Sequence, residues 1–413
     1  MYRWNAELEE RAQAELRPVC LDSMGNLVAV LFQSTPIDRN DVLMAAWSYL
    51  FVLKWDARQV VDKIEFRGQT ITKVKFLRKD TASNVVSILV VSHTGKTILT
   101  ELRCVQDQDS IKKLERNIIS KNVFASAVPA LEEYRSVPLG HERFIAASSN
   151  GVLNELSSLD LSIYVDATSC KPPLSNVKVV PPRPSELVVV DDHDTENTET
   201  ESEQRFRQHL LKISLFDSLA ISAISLSPSD SRFVYAGTED GGIYKLNLDN
   251  VQHNTLKILP TYNGFLPVTN TALPMFHSSH VVALSHNTDE LLLSASFDWT
   301  CTLWDPLNSS KLATIDIGSP VLDAVWLDDQ NHLCGILTCD AVFIVQWQYH
   351  AVTHRWQSTT DPKIIYKISS NEASCKNFVC FKIFQTDHGG HILAIGCNDQ
   401  EIRFYKINCP ELN

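Results

Sequence analysis

Six stretches of the chain share one arrangement of apolar and polar positions: SILVVSHTGKTILTEL (87–102), RFIAASSNGVLNEL (143–156), RFVYAGTEDGGIYKL (232–246), LLLSASFDWTCTLWD (291–305), LCGILTCDAVFIVQW (333–347) and HILAIGCNDQEIRFYKI (391–407). Each begins with four to six apolar or small residues, passes through a turn rich in Asp, Asn, Gly or Thr, and continues as an alternating run. Period-two alternation marks a strand with one buried face. The turn residues are those that tolerate positive φ or close a hairpin. Before most of these hairpins apolar residues fall at i, i+3 and i+5, as in Ile71/Val74/Phe76, Ile221/Ile224/Leu226, Val321/Ala324/Trp326 and Phe378/Phe381/Ile383. Ahead of residue 291 the fit is weaker, because His286 takes the third place after Val281 and Leu284. A less regular unit opens the chain, with Leu27 to Gln33, a longer link, and Ala45 to Asp56.

One such unit cannot bury its apolar face alone, so the copies must stack. Seven units of about 40 to 60 residues fit four-stranded propeller blades better than a sandwich. The third strand repeatedly ends in Trp-Asp or an aromatic residue, which tips the choice. The expectation is an all-β, seven-bladed WD40 β-propeller over residues 18–409. At 413 residues the length alone would suggest two or three domains, and the repeats override it.

Three segments lie outside this pattern. Residues 4 to 16, WNAELEERAQAEL, are good helix formers ended by Pro18, so residues 1–17 are expected to form a short helical lead-in. Residues 168–204 hold Pro172, Pro173, Pro181, Pro182 and Pro184, then VVVDDHDTENTETESEQ. That composition predicts a disordered, Pro-rich and acidic insertion between the third and fourth blades. It reads as a solvated linker or as an acidic dock for a basic partner segment. DQDSIKKLERNIISK (107–121) has the composition of a short helix.

Net charge is −12 at pH 7, and seven of the acids lie between Asp191 and Glu203. This balance argues against nucleic acid, whose binders carry a basic footprint. The ten cysteines include no CxxC pair, and the start, MYRWNAELEE, has no apolar signal core. Reduced, buried thiols in a cytosolic protein are expected. The longest nearly unbroken apolar run, Val42 to Leu53, has 12 residues, too short to span a bilayer.

His93-Thr94-Gly95-Lys96-Thr97 contains GKT, but Val90 stands where a phosphate loop needs its first glycine. Glu239-Asp240-Gly241-Gly242 reads as a hairpin turn with no helix behind it. Cys334/Cys339 and Cys375/Cys380 are spaced too widely for common zinc sites, and His388 and His391 near Cys397 do not complete one. No catalytic, cofactor or metal-binding residue is nominated. Asp298 belongs to the turn after a second strand, where Trp-Asp propellers commonly bond it into a network with the third-strand Trp, here Trp304. The expected role of both is to lock the blade. Turns of this kind from all blades lie on one rim. Trp299 occupies one where a small or polar residue is usual, which makes it a candidate anchor. Phe297 has an inward and a rim-facing option, and Asn150, Asp240, Asp340, Asn398 and Asp399 are expected around the same rim.

SASFDWTCTLWD resembles the signature blade of cytoplasmic dynein intermediate chains, which carries Ser-Phe-Asp-Trp-Thr followed by Leu-Trp. SAISLSPSDSRFVYAGTEDGGIYKL resembles the neighbouring blade of that family. AAWSYLFVLKWD (45–56), IEFRGQTITKVKFLRK (64–79) and SNVVSILVVSHTGKTILTELR (83–103) are similar to the budding-yeast form. The resemblance covers about residues 17 to 409 and implies a non-catalytic, cytoplasmic, microtubule-associated subunit without cofactors. It implies a propeller that binds the tail of the dynein heavy chain and links the motor to dynactin and cargo adaptors for minus-end-directed transport, such as spindle or nuclear positioning. Trp299, Phe297, Asp240, Asn398 and Asp399 are the heavy-chain candidates. In that family light chains and dynactin bind a long N-terminal extension; the sequence opens without it, so those partners are expected to bind outside these residues. Two other readings stand beside this one: an interaction propeller of a vesicle coat or ubiquitin-ligase adaptor, and an enzyme using the central channel. The second is disfavoured because no titratable motifs converge.

Overall fold

A computed structural model describes residues 2–5, 16–34, 47–80, 85–93, 96–107, 110–122, 130–135, 142–147, 153–157, 220–230, 233–247, 275–306, 310–328, 332–347, 349–350, 355–356, 362–386 and 390–407. All regular structure among them is β. Strand β1 (Tyr2–Asn5) stands apart from its sequence neighbours. The first sheet then runs β2 (Leu16–Met24), β3 (Leu27–Ser34), β4 (Ser48–Lys54) and β5 (Gln59–Phe66). The second is β6 (Ile71–Asp80), β7 (Val85–Ser92), β8 (Lys96–Asp107) and β9 (Ser110–Asn122), and the third β10 (Ala130–Arg135), β11 (Glu142–Ala147) and β12 (Leu153–Ser157). The fourth is β13 (Ile221–Leu226), β14 (Phe233–Thr238), β15 (Gly242–Asn247) and β16 (Met275–Phe276), and the fifth β17 (Val281–His286), β18 (Leu292–Ser296), β19 (Thr300–Asp305) and β20 (Ser310–Asp316). The sixth has β21 (Val321–Asp328), β22 (Leu333–Thr338) and β23 (Ala341–Gln346). A small hairpin, β24 (Tyr349–His350) with β25 (Arg355–Trp356), precedes its outer strand β26 (Lys363–Ser369). The seventh is β27 (Phe378–Gln385), β28 (His391–Cys397) and β29 (Glu401–Ile407), with β1 as its fourth strand.

Every pairing in these sheets is antiparallel. The innermost strands β2, β6, β10, β13, β17, β21 and β27 each lie against the next, and β27 returns to β2. The described sheets therefore close a ring, the propeller arrangement, in which sheet faces are buried against one another. The core sits between consecutive sheets. One layer joins Leu31, Leu50 and Ile64 to Val74, Ile88 and Val90; another joins Leu303 and Ile315 to Trp326, Ile336 and Trp347.

The i, i+3, i+5 pattern has a structural cause. In β6, β13, β17, β21 and β27 the register slips after the first residue, as between Ile71 and Lys73 or Val321 and Asp323. A β-bulge inserts one residue there, so the second inward position falls three residues on and alternation resumes behind it. His286, the poor fit, is accommodated: its ring lies 4.8 Å from Tyr235, and its Nδ1 hydrogen-bonds with Ser225 Oγ at 2.9 Å.

Two segments expected to be helical are strand wherever they are described. The lead-in over residues 1–17 is strand at both described ends, since Tyr2–Asn5 pairs with β29 and Leu16 opens β2; residues 6–15 lie outside the described residues. Tyr2 and Trp4 alternate with Arg3, and both rings turn onto the first sheet: Trp4 reaches Phe32 (5.9 Å) and Phe51 (5.2 Å), and Tyr2 reaches Trp55 (6.0 Å). Pairing with the last strand while packing on the first sheet ties the two ends of the ring together. The segment 107–121 is likewise strand at Asp107 and over 110–121: β9 pairs with β8 from Lys96↔Asn122 to Asp107↔Ser110. Over 110–121 the long-range ladder outweighs local helix propensity, a weak prior when backbone groups find partners in a sheet. The expected insertion at 168–204 lies outside the described residues.

Candidate functional site

The turns between second and third strands are hooked on both sides to the loops that join successive sheets. Phe297 N–H donates to His280 O (3.0 Å) and Ile317 N–H to Trp299 O (2.9 Å). His277 N–H donates to Gly241 O (2.8 Å), Ser370 N–H to Asp340 O (2.7 Å) and Asn398 N–H to Asn377 O (3.1 Å). The rim is thus a backbone-stapled surface rather than a set of independent loops.

Within it, the third turn residue adopts a left-handed conformation in three sheets: Gly241 (φ 94°), Trp299 (φ 74°) and Gln400 (φ 70°). Glycine takes this region freely, whereas a bulky side chain is strained there. Trp299 is 50% exposed and Phe297 40% exposed. Phe297 therefore takes its rim-facing option, with its ring edge-on to His280 at 5.2 Å and 70°. Exposed acids flank the pair: Glu239 acts on His280, Asp316 pairs with Thr300, and Asp340 accepts from Ser319 in the loop that staples Trp299.

The polar candidates are engaged by their own turns and by the loops and strands beside them. Thr238 Oγ1 donates to Asp240, whose Oδ1 also accepts from Gly242 N–H at 3.2 Å. Asn398 Oδ1 accepts from Asn377 N–H (3.2 Å). Asp399 chelates Arg403 at 2.5 and 3.3 Å, and Arg403, almost wholly buried, also meets Glu401 at 2.9 Å. Asp340 accepts from Thr338 Oγ1 (2.7 Å) and Ser319 Oγ (3.2 Å), and these hydrogen bonds, Thr338 foremost, hold its carboxyl below the usual carboxylate range. Asn150 lies outside the described residues. The structure thus brings Phe297 and Trp299 together as an open pair and leaves Asp240, Asn398 and Asp399 as turn-forming groups on the same rim.

Asp298 and Trp304 belong to one network, joined through two residues the sequence did not nominate. Trp304 Nε1–H donates to Ser294 Oγ (2.7 Å), Ser294 Oγ lies 2.6 Å from His277 Nε2, and His277 Nδ1 lies 3.0 Å from Asp298 Oδ2. One proton arrangement satisfies every link: Ser294 O–H donates to Nε2, and Nδ1–H donates to the carboxylate. Asp298 Oδ1 accepts from Thr300 N–H (3.0 Å) and O–H (2.6 Å), and Oδ2 from Ser278 N–H (2.9 Å). Burial pushes His277 below its ordinary value while Asp298 pulls the other way, which keeps the ring neutral near pH 7. Burial opposes ionisation of Asp298, yet bonds from Thr300, His277 and Ser278 hold its carboxyl below the ordinary range. The signal for His277 was a histidine just before an inner strand with a serine four residues ahead of the turn Asp, a pairing across 17 residues.

Ser294, His277 and Asp298 have the connectivity of a nucleophilic triad. Ser294 is 0% exposed and its oxygen already accepts the Trp304 N–H, so no substrate carbonyl reaches it. A fully satisfied buried polar network of this kind rigidifies its sheet. The sixth sheet repeats the idea with sulfur, as Trp347 Nε1–H points to Cys334 Sγ at 3.2 Å. Among the described residues no group of His, Cys, Asp and Glu could hold a metal ion, and no helix is long and apolar enough to cross a membrane.

Comparison with known proteins narrows the reading. The family model described as PAC11 dynein intermediate chain matches residues 1–384. WD repeat-containing protein PAC11 of Saccharomyces cerevisiae is 32% identical over 390 residues, covering 87% of this chain and 68% of that protein. Among solved structures, a chain of the mitotic checkpoint complex is similar with a TM-score of 0.54 at 13% identity, over 98% of this chain and 95% of that one. Chaetomium thermophilum Raptor is similar with a TM-score of 0.57 at 12% identity, over 95% of this chain and 28% of that one. At such identities the structural likeness bears on the fold alone.

Proposed function

The chain belongs to the PAC11 dynein intermediate chain family, and from that premise we propose that its propeller is a non-catalytic scaffold of the cytoplasmic dynein motor whose rim docks the heavy-chain tail. The family makes it a dynein-complex subunit; the mode of docking is our reading. The observation that carries it is the open Phe297–Trp299 pair, held on a stapled turn with Trp299 at a strained backbone position and flanked by Glu239, Asp316 and Asp340. Buried aromatic anchors inside a charged rim are the usual core of a protein interface. The complementary partner is a segment with an apolar stripe and basic flanks, such as an amphipathic helix of the heavy chain. Asp240, Asn398 and Asp399 contribute by shaping neighbouring turns. Linkage to dynactin and cargo adaptors, placement on cytoplasmic microtubules and a part in minus-end-directed transport follow from that assembly. Light chains and dynactin would engage residues N-terminal to the propeller, as the family resemblance implies.

Co-purification from cells with identification of the partners tests this reading. A very large heavy chain in the eluate is the expected result. Coat subunits or ligase adaptors without a heavy chain would replace it with a different scaffold role.

A further inference from the structure

Four consecutive residues of the loop between β16 and β17 bond the β18–β19 turn. His277 Nδ1 lies 3.0 Å from Asp298 Oδ2, and Ser278 N–H donates to the same oxygen at 2.9 Å. Ser279 O accepts from Ser296 Oγ (3.0 Å), and His280 O accepts from Phe297 N–H (3.0 Å). His280 also meets one of the open rings, since its half-buried imidazole stands edge-on to Phe297 at 5.2 Å and 70°. Backbone and ring of Phe297 are thus both set by one residue. The charged group that acts on the imidazole is Glu239, from the β14–β15 turn. Asp298, on the β18–β19 turn, is taken up by His277, Ser278 and Thr300, and the His277 ring is bound in the buried network with Ser294. Asp316 and Asp340 sit toward the next sheet, beside Thr300 and Ser319. No Lys or Arg occurs in residues 237–242, 275–281 or 295–300.

We propose that His280 is a positioning residue of the dock: its neutral imidazole holds the Phe297 ring outward, and docking weakens as that imidazole takes up a proton. The proposal rests on the docking reading above and adds its regulation. In the free chain the imidazole keeps Phe297 in the orientation a partner covers, so the freedom of that side chain is given up before binding rather than during it. A partner seated on Phe297 also strips water from His280 and brings its own basic residues close. Both effects disfavour the protonated ring. Burial already holds His280 below its ordinary 6.5, with Glu239 pulling the other way, and docking moves it lower still. The docked chain therefore binds fewer protons than the free one. Affinity is full above pH 6.5 and falls as pH drops through the free-chain value, by up to about tenfold per pH unit.

The test titrates the full chain and its variants against an immobilised heavy-chain tail fragment at about pH 7.5 and about pH 5.5, a window above the carboxylate range of about 4. The carbonyl that staples Phe297 stays in every variant at this position. His280→Ala should bind about threefold to tenfold more weakly at the higher pH, roughly the cost of ordering one side chain on binding. His280→Phe keeps a ring and loses the proton site, so it should restore the affinity to within about twofold. The parent chain should weaken by at least about threefold at the lower pH, and His280→Phe should not. Titrating groups on the tail act alike on both chains and cancel in that comparison. Parent-like affinity of Trp299→Gly would sink the docking reading and this proposal with it. A weakened Trp299→Gly beside a parent-like His280→Ala would overturn the His280 role alone. So would failure of His280→Phe to restore affinity, or one pH profile shared by the parent and His280→Phe.

Discussion

Replacing Trp299 by glycine should separate docking from folding. The position has φ 74°, where an L-residue costs about 1 kcal/mol and glycine almost nothing. Glycine also loosens the unfolded chain, by about 0.5–1 kcal/mol, so the two effects nearly cancel. The contacts that staple the turn use only backbone and Asp298: Ile317 N–H to Trp299 O at 2.9 Å and Thr300 N–H to Asp298 Oδ1 at 3.0 Å. None is lost in Trp299→Gly. The indole is 50% exposed, which leaves a partner roughly half of about 200 Å² to cover. At about 25 cal/mol per Å² that burial contributes about 2.5 kcal/mol, or roughly 70-fold in Kd. Titration of the purified chain against an immobilised heavy-chain tail fragment, alongside a thermal melt, reads both quantities. Trp299→Ala keeps both the backbone strain and the stiffer unfolded chain, so it should lose the same affinity and match Trp299→Gly in stability to within about 0.5 kcal/mol. An affinity of Trp299→Gly within threefold of the parent chain would refute the anchor reasoning, and a collapsed melt would refute the strain reasoning.

Three further outcomes concern the scaffold. His277→Ala leaves Ser294 and Asp298 without their shared partner and should cost about 2–4 kcal/mol by urea titration, with Ser294→Ala milder. Trp4→Ala removes the ring that packs on Phe32 and Phe51 and should lower stability by about 2–3 kcal/mol, with protease cleavage appearing first near β1 and β29. Acid should weaken the fold well before general carboxylate protonation. Burial holds His286 down to about 4 against an ordinary 6.5, so between those values the unfolded chain binds a proton that the folded chain refuses. Stability is therefore full above pH 6.5 and falls as pH drops toward 4, by up to about 3 kcal/mol from this group. His277 adds to the same slope, and Asp298 extends it to lower pH; His286→Gln should flatten it in urea titrations from pH 7.5 to 4.5.

Much of this architecture could be read from the residues, because a propeller sheet writes its pattern locally. Hairpins such as 291–305 alternate across a tight turn, and the i, i+3, i+5 spacing carries the inner-strand bulge. The residues that join distant parts were harder to see. Tyr2–Asn5 is too short for a periodic signal and becomes a strand only because Glu401–Phe404 offers a ladder and the first sheet an aromatic bed. The segment 110–122 is rich in helix formers but finds its partner in β8. Asp298 and Trp304 were legible as members of one network, whereas His277 and Ser294, which physically connect them, come from a loop and a strand with no local mark. At the rim, exposure of Trp299 followed from its turn position. The orientation of Phe297 depended on His280, which approaches from the preceding loop.

Hydrogen-exchange mass spectrometry of the chain with and without the heavy-chain tail tests the docking claim most directly. The account predicts slowed exchange on complex formation in peptides spanning 275–280 and 295–300, with smaller slowing at 237–242 and 396–401. Protection confined to the opposite rim or to the outer strands β5 and β26, with 295–300 unchanged, would contradict it.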